Sequence, residues 1–359
     1  MSKFRNRLFV HQLAGVFIVA LATSITSLAQ TSEAADKSWT SVGQNSPANA
    51  NPYRTTESHV KSGNRTLDKK TVEVRGPDGT YQLYYRTEIE TIQESPTLTR
   101  CIRRTYHPNL DRDEHLTQII EAETHGSDNG SRTVKTISNA DLDGKFEVKE
   151  REVSVTEKSS DSQKTRTTTY LPNTTGEFAP SMQIDEQQKQ GPSGTIETKK
   201  ETLFPDLSGR WYTYEVREQT VKGDSQERIT DEHLSRRDFV GNVSPVSEVI
   251  TKEKNANGQL TTTTQNYSVD VPGSTRDQTL HPLQSSKSVQ ATEAGRIVTE
   301  TQVLQPDTVE KGSNTVINTS DIVIKKSSGN EETITVTAQY PDGYPSVVSV
   351  ETRKTEGQH

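Results

Sequence analysis

The chain has 359 residues, of which 28% are apolar and 25% charged, with a formal net charge of −7 and one cysteine. So low an apolar share excludes a single large core and leaves either disorder or a thin core spread over repeated units. The lone Cys101 excludes a disulfide framework and a thiolate metal cage and reads as a small buried hydrophobe. The acidic balance argues against nucleic acid or anionic lipid as partner.

The first 29 residues read as a secretory signal peptide. Lys3, Arg5 and Arg7 form a positive start, Leu13–Ala22 an apolar core, and Ser27-Leu28-Ala29 a small-residue cleavage site before Gln30. A membrane-spanning helix needs roughly 20 apolar residues, twice this run, and no later stretch is apolar enough to span as a helix. Removing residues 1–29 takes the net charge from −7 to −10, because they carry those three cations and no acid. The expected location is the periplasm, the cell surface or the medium. Residues 30–63 are rich in Ser, Ala, Asn, Pro and Thr, with Trp39 and Tyr53 as their large apolar groups, and predict a flexible leader.

From Arg65 one unit recurs, and its fullest copy is Thr202–Val221. A strand-like run meets Pro205-Asp206-Leu207-Ser208-Gly209, and an alternating run, Trp211–Val216, leaves it. Pro sets φ, Asp bonds its own backbone and Gly tolerates positive φ, which makes this a firm hairpin turn. The turn's Asx residue recurs at Asp78, Asn109, Asp141, Asn173, Asp206, Asp238, Asp270, Asp307 and Asp342, 31 to 37 residues apart. Self-similarity at that period marks a repeat array. Softer turns lie midway, and Asn129-Gly130 and Asn257-Gly258 predict type I′ hairpins. The strands between are rich in Thr, Val, Tyr and Ile. Tyr81, Leu83, Tyr85 and Thr87 are expected on one face, and Tyr212, Tyr214 and Val216 likewise.

The fold class expected is all-β: an extended antiparallel β-meander of about nine ~32-residue hairpin repeats over 64–353, with 354–359 a disordered tail. The sheet is open or curled on itself. A β-propeller needs four-strand blades and a doubled period. An outer-membrane barrel needs an apolar lipid-facing band, which Glu227–His233 would break with charge on both faces. The segment Phe204-Pro205-Asp206-Leu207-Ser208-Gly209-Arg210 resembles the tyrosine–aspartate repeats of the Rhs/YD family, and the array is similar in style to secreted bacterial repeat proteins. The resemblance implies a secreted β-repeat scaffold and carries no catalytic residue.

Candidate sites are few. Asn139, Asp141, Asp143 and Glu150, with Gly144, match a calcium loop in spacing but sit where the other copies have a turn and a strand. His107–His115 clusters two His with acids in a turn. Tyr81, Tyr85, Trp211, Tyr212 and Tyr214 form either an aromatic platform for carbohydrate or peptide or the sheet's thin core. Nucleophile elbows, HExxH and P-loop motifs are absent from the sequence. The expectation is an exported, non-catalytic β-repeat scaffold without cofactor or metal, with an envelope protein or polysaccharide as partner. The alternatives are a carbohydrate-binding or hydrolytic propeller and an outer-membrane barrel.

Overall fold

The computed structural model describes residues 37–45, 53–109, 111–269, 279–293, 296–306, 314–326, 331–339 and 346–356. They form twenty strands. The first five are β1 Lys37–Asn45, β2 Tyr53–Ser62, β3 Arg65–Arg75, β4 Tyr81–Ser95 and β5 Leu98–Pro108. Next come β6 Glu114–Ser127, β7 Gly130–Ala140, β8 Phe146–Lys158, β9 Ser162–Pro172 and β10 Phe178–Gln190. Then follow β11 Ile196–Pro205, β12 Trp211–Gly223, β13 Glu227–Arg237, β14 Val243–Ala256 and β15 Gln259–Ser268. The last are β16 His281–Glu293, β17 Arg296–Pro306, β18 Asn314–Lys326, β19 Glu331–Gln339 and β20 Ser346–Glu356.

The chain is an all-β antiparallel meander in which each strand pairs with the next. The first strand closes it, because β1 pairs with both β2 and β20. Among the described residues the sheet is therefore a ring of twenty strands, one continuous wall in which each strand has a partner on both sides. A propeller is ruled out, since its blades are separate four-stranded sheets. β1 and β2 also lie inside the 30–63 stretch expected to be a leader. Backbone pairing explains this: a strand can join a ladder through its N–H and C=O groups without contributing apolar side chains.

Six firm turns fall within the described residues, and they share one geometry. In each, the N–H of the first residue bonds the carbonyl four residues on, and the N–H three residues on bonds back to the first carbonyl. The first residues are Gly76, Asn109, Asp141, Asn173, Asp206 and Asp238. In the first copy Gly76, rather than Asp78, holds this position, and Asp78 instead bonds Thr80. The fourth position takes positive φ at Gly79, Arg112, Gly144, Gly176, Gly209 and Gly241, so Arg112 stands where the other copies have Gly. Asp270, Asp307 and Asp342 lie outside the described residues. Of the two Asn-Gly turns, Asn257 and Gly258 have φ of 53° and 75°, as type I′ requires. Asn129 stays out of that region, and Gly130 sits at 153°.

Every pairing across a firm turn also carries a β-bulge eight residues after the turn begins. The extra residue is Tyr84, Thr117, Lys149, Ser181, Tyr214 or Val246. The shifts recur in the β15–β16, β17–β18 and β19–β20 pairs. An unpaired residue bends its strand and increases local twist. One bulge per repeat at a fixed height supplies the even curvature that a closed ring needs. Each bulge also reverses the inside–outside phase. Tyr81 and Leu83 therefore face opposite to Tyr85 and Thr87, and Tyr212 opposite to Val216, contrary to simple alternation.

Followed around the ring, the register gives two faces. One is a hydroxyl face, with cross-strand bonds at Thr124–Thr133, Ser154–Thr167, Thr156–Thr165, Thr251–Thr264 and Ser288–Thr301, 2.8 to 3.3 Å long. It holds buried Thr55, Thr87, Thr169 and Thr264. The other is more charged and includes Arg54–Glu73, Arg166–Asp185 and a buried Glu90 held between Arg65 and Arg104. The hydroxyl face has ion pairs too, at Glu57–Lys70, Lys135–Glu152 and Arg217–Glu232. Among the described residues no apolar side chain is buried. The chain exposes 25676 Å², against roughly 14,000 Å² for a close-packed protein of this length. Cross-strand pairs of about 0.2–1 kcal/mol each, laid over the backbone ladder, take the place of a core.

Candidate functional site

The firm turns lie at one end of the strands and form a rim, and a recess in the wall lies there. It is an open cleft of about 560 Å³ between the β11–β12 and β13–β14 hairpins, lined by Asp206, Tyr212, Tyr214, Arg237, Asp238 and Phe239. Tyr214 is this hairpin's bulged residue, which takes its ring out of the alternation and lets it meet Phe204 edge-on at 5.4 Å. Arg236 lies 6.0 Å from the Tyr214 ring and 2.8 Å from Glu215, and Arg237 lies 5.0 Å over Tyr212. Phe239 and Leu207, each the second residue of its turn, are fully exposed, as is Leu142 at the matching position of another copy.

The two carboxylates of the cleft are already engaged. Asp206 accepts from the Ser208 hydroxyl and from the Ser208 and Arg210 amides, and these bonds hold its carboxyl below the usual range. Asp238 accepts from the Asn242, Gly241 and Val240 amides at 2.7 to 2.9 Å and is likewise lowered. Both act as turn-fixing anions with no proton to give near neutral pH.

The other sequence candidates separate. Asp141 spends Oδ1 on the Asp143 and Lys145 amides, and Asn139 accepts from Gln118 on β6. Glu150 lies within β8, paired to Ile137, where desolvation and then Glu152 raise its carboxyl. His107 bonds the Thr117 hydroxyl, while Asn109 caps Asp113. Cys101 is half-buried on the hydroxyl face with Thr91 at 3.9 Å. Of the five aromatics, Tyr212 and Tyr214 share the cleft. Tyr81 and Tyr85 belong to β4, where Arg54 covers Tyr81 at 4.8 Å and Tyr84 meets Tyr85 at 5.8 Å. Trp211 pairs with Pro205. With no apolar side chain buried among the described residues, these rings are half-exposed surface groups rather than thin-core packing. A cluster missed in the sequence, Asp231, His233 and Glu248, is assembled by the β13–β14 register. Asp231-x-His233 was visible as two residues on one strand face, but Glu248 required the pairing.

No family model matches the chain, and no curated protein matches it. Solved structures do. They include a point mutant of the ferric enterobactin receptor PfeA of Pseudomonas aeruginosa, 9% identical, covering 87% of this chain and 68% of that one, with TM-score 0.47. The siderophore receptor PirA of the same organism is 9% identical, covering 90% and 80%, with TM-score 0.45. The FrpB iron transporter of Neisseria meningitidis is 7% identical, covering 89% and 81%, with TM-score 0.42. The resemblance to Rhs/YD repeats is not sustained: the hairpins close into a ring through β1 and β20.

Proposed function

We propose that this chain is an exported β-barrel of the cell envelope that works without catalysis, as a structural or binding element presented at its firm-turn rim. Closure of the ring through β1 and β20 is the observation that carries the reading. Of the open and curled sheets expected, it favours the curled one, closed as a barrel. The rim supports the binding role, because the aromatic and arginine cleft and the exposed Leu142, Leu207 and Phe239 gather there. A polysaccharide or an envelope protein suits rings of this kind.

A lipid-inserted barrel is the second reading, favoured by the even, closed strand count. The wall weighs against it. Lys70, Lys135 and Arg217 lie on one face and Arg104 and Arg166 on the other, away from the strand ends. A lipid-facing Lys or Arg at the bilayer midplane costs about 2–4 kcal/mol. Fractionation decides between the two. After export in a Gram-negative host, a water-faced barrel is released from envelopes by salt or carbonate, and a lipid-inserted one only by detergent.

A further inference from the structure

On the charged face, β13 and β14 bring together Asp231, His233 and Glu248. The first two are two residues apart on β13, and Glu248 is the direct partner of His233 across the pair. His233 Nε2 lies 3.2 Å from Asp231 Oδ1 and 3.9 Å from Glu248 Oε1, and one donor atom from each lies within 4.8 Å of the others. Bonds of roughly 2.0–2.1 Å from a tetrahedral ion to imidazole nitrogen and carboxylate oxygen set ligand edges of roughly 3.3 Å. His233 Nε2 and Asp231 Oδ1 already stand at that spacing, and Glu248 Oε1 lies 3.9 Å from the nitrogen. Glu218 on β12 is the register partner of His233 on its other side.

Two further observations separate this cluster from the ordinary ion pairs of the wall. Elsewhere the shielded acids meet Arg or Lys, as at Glu73, Glu90, Glu152 and Asp185. Among the described residues, Asp231 and Glu248 have His233 as their sole ion-pair partner. In addition, Asp231 Oδ1 is shut off from water with no hydrogen-bond donor aligned to it. A shielded oxygen left without a donor is costly, and a cation would satisfy it.

We propose that Asp231, His233 and Glu248 form a binding site for a divalent transition-metal ion of the zinc class, built on the β13–β14 pair. The mixed nitrogen and oxygen donor set suits Zn²⁺ better than Ca²⁺ or Mg²⁺, which take oxygen ligands. The site rests on backbone register rather than on a loop, so it needs little rearrangement to close on an ion.

The test is calorimetric titration of the chelator-stripped exported protein with Zn²⁺ and, separately, Ca²⁺. The panel is wild type, His233→Ala, Glu248→Gln and the control His125→Ala, whose histidine sits beside Glu123 on β6. The expected result is one saturable Zn²⁺ site in wild type and His125→Ala, weakened at least tenfold in His233→Ala and Glu248→Gln, with Ca²⁺ not competing. Glu248→Gln keeps shape and length, so it still reports if His233→Ala fails to fold. Absence of saturable Zn²⁺ binding, equal affinity across the panel, or displacement by equimolar Ca²⁺ overturns the proposal.

Discussion

Gly130 gives the sharpest test of how tightly this wall is built. It opens β7 after a soft turn and is buried, with φ of 153°. A Cβ placed on it falls 1.9 Å from the Thr156 carbonyl oxygen, where ordinary contact begins near 3.4 Å. Gly130→Ala must therefore push β8 away by about 1.5 Å, the difference between those distances. The displaced segment includes the Gly130–Glu157 pair and the 2.8 Å bond from the Lys158 amide to the Asn129 carbonyl. Losing two ladder bonds at about 1 kcal/mol each, with about 1–3 kcal/mol for a disfavoured backbone region, gives about 3–5 kcal/mol. Gly209→Ala is the matched control. Its φ is 80°, but nothing lies within 4 Å of the added carbon, so it loses only the left-handed penalty of about 1–2 kcal/mol. Urea unfolding followed by far-UV circular dichroism reads both variants. If Gly130→Ala is no more destabilising than Gly209→Ala, β7 and β8 do not approach as described.

Further outcomes follow from the turns, the bulges and the wall. Asp78, Asp206, Asp224 and Asp238 all have carboxyls lowered by the bonds that fix their turns. Their contribution is present above the unfolded Asp pKa of about 3.9 and is lost as pH falls through the lower folded values. Replacing all four by Asn, which keeps the acceptor oxygen, is expected to flatten the acid limb of Tm against pH, and an unchanged limb contradicts this. Glu150 runs the other way: burial, and then Glu152, raise its carboxyl, so its ionised form opposes folding once pH rises above the unfolded value. Glu150→Gln should raise Tm at pH 7 and have little effect near pH 4; a drop in Tm at pH 7 refutes it. Deleting Ser181, the bulged residue of β10, should restore simple alternation there and swap the faces of the residues on the turn side. Cysteine-accessibility labelling at Pro180 and Ala179 reads that swap, and unchanged labelling counts against the bulge as the phase-setting element.

The hairpins and their ~32-residue period were legible because turn chemistry is local: Pro205, Asp206 and Gly209 declare their turn without reference to any partner. Copies that reach the same geometry with other residues were harder to place, as with Gly76 in the first turn and Arg112 in the second. The bulges left no local mark at all. Their residues are Tyr, Thr, Lys, Ser and Val among others, so the face reversal between Tyr212 and Val216 became visible only with the register. Ring closure was equally hidden. It joins Lys37–Asn45 to Ser346–Glu356 across the whole chain, and pairing of two polar strands writes no pattern into either. The Asp231, His233 and Glu248 cluster shares that reason, since cross-strand neighbours are set by register.

The central claim is that the meander closes through β1 and β20, and a disulfide tests it most directly. Thr40 and Lys354 are register partners in that pair. Opposed residues in an antiparallel pair have Cα atoms about 4.5–5.5 Å apart, inside the roughly 4.4–6.8 Å that a disulfide spans. In a Cys101→Ser background, Thr40→Cys with Lys354→Cys should oxidise rapidly within one chain, linking its two ends in a single peptide pair by mass spectrometry. An open meander leaves those ends apart, and the same variant would stay reduced or cross-link only between molecules.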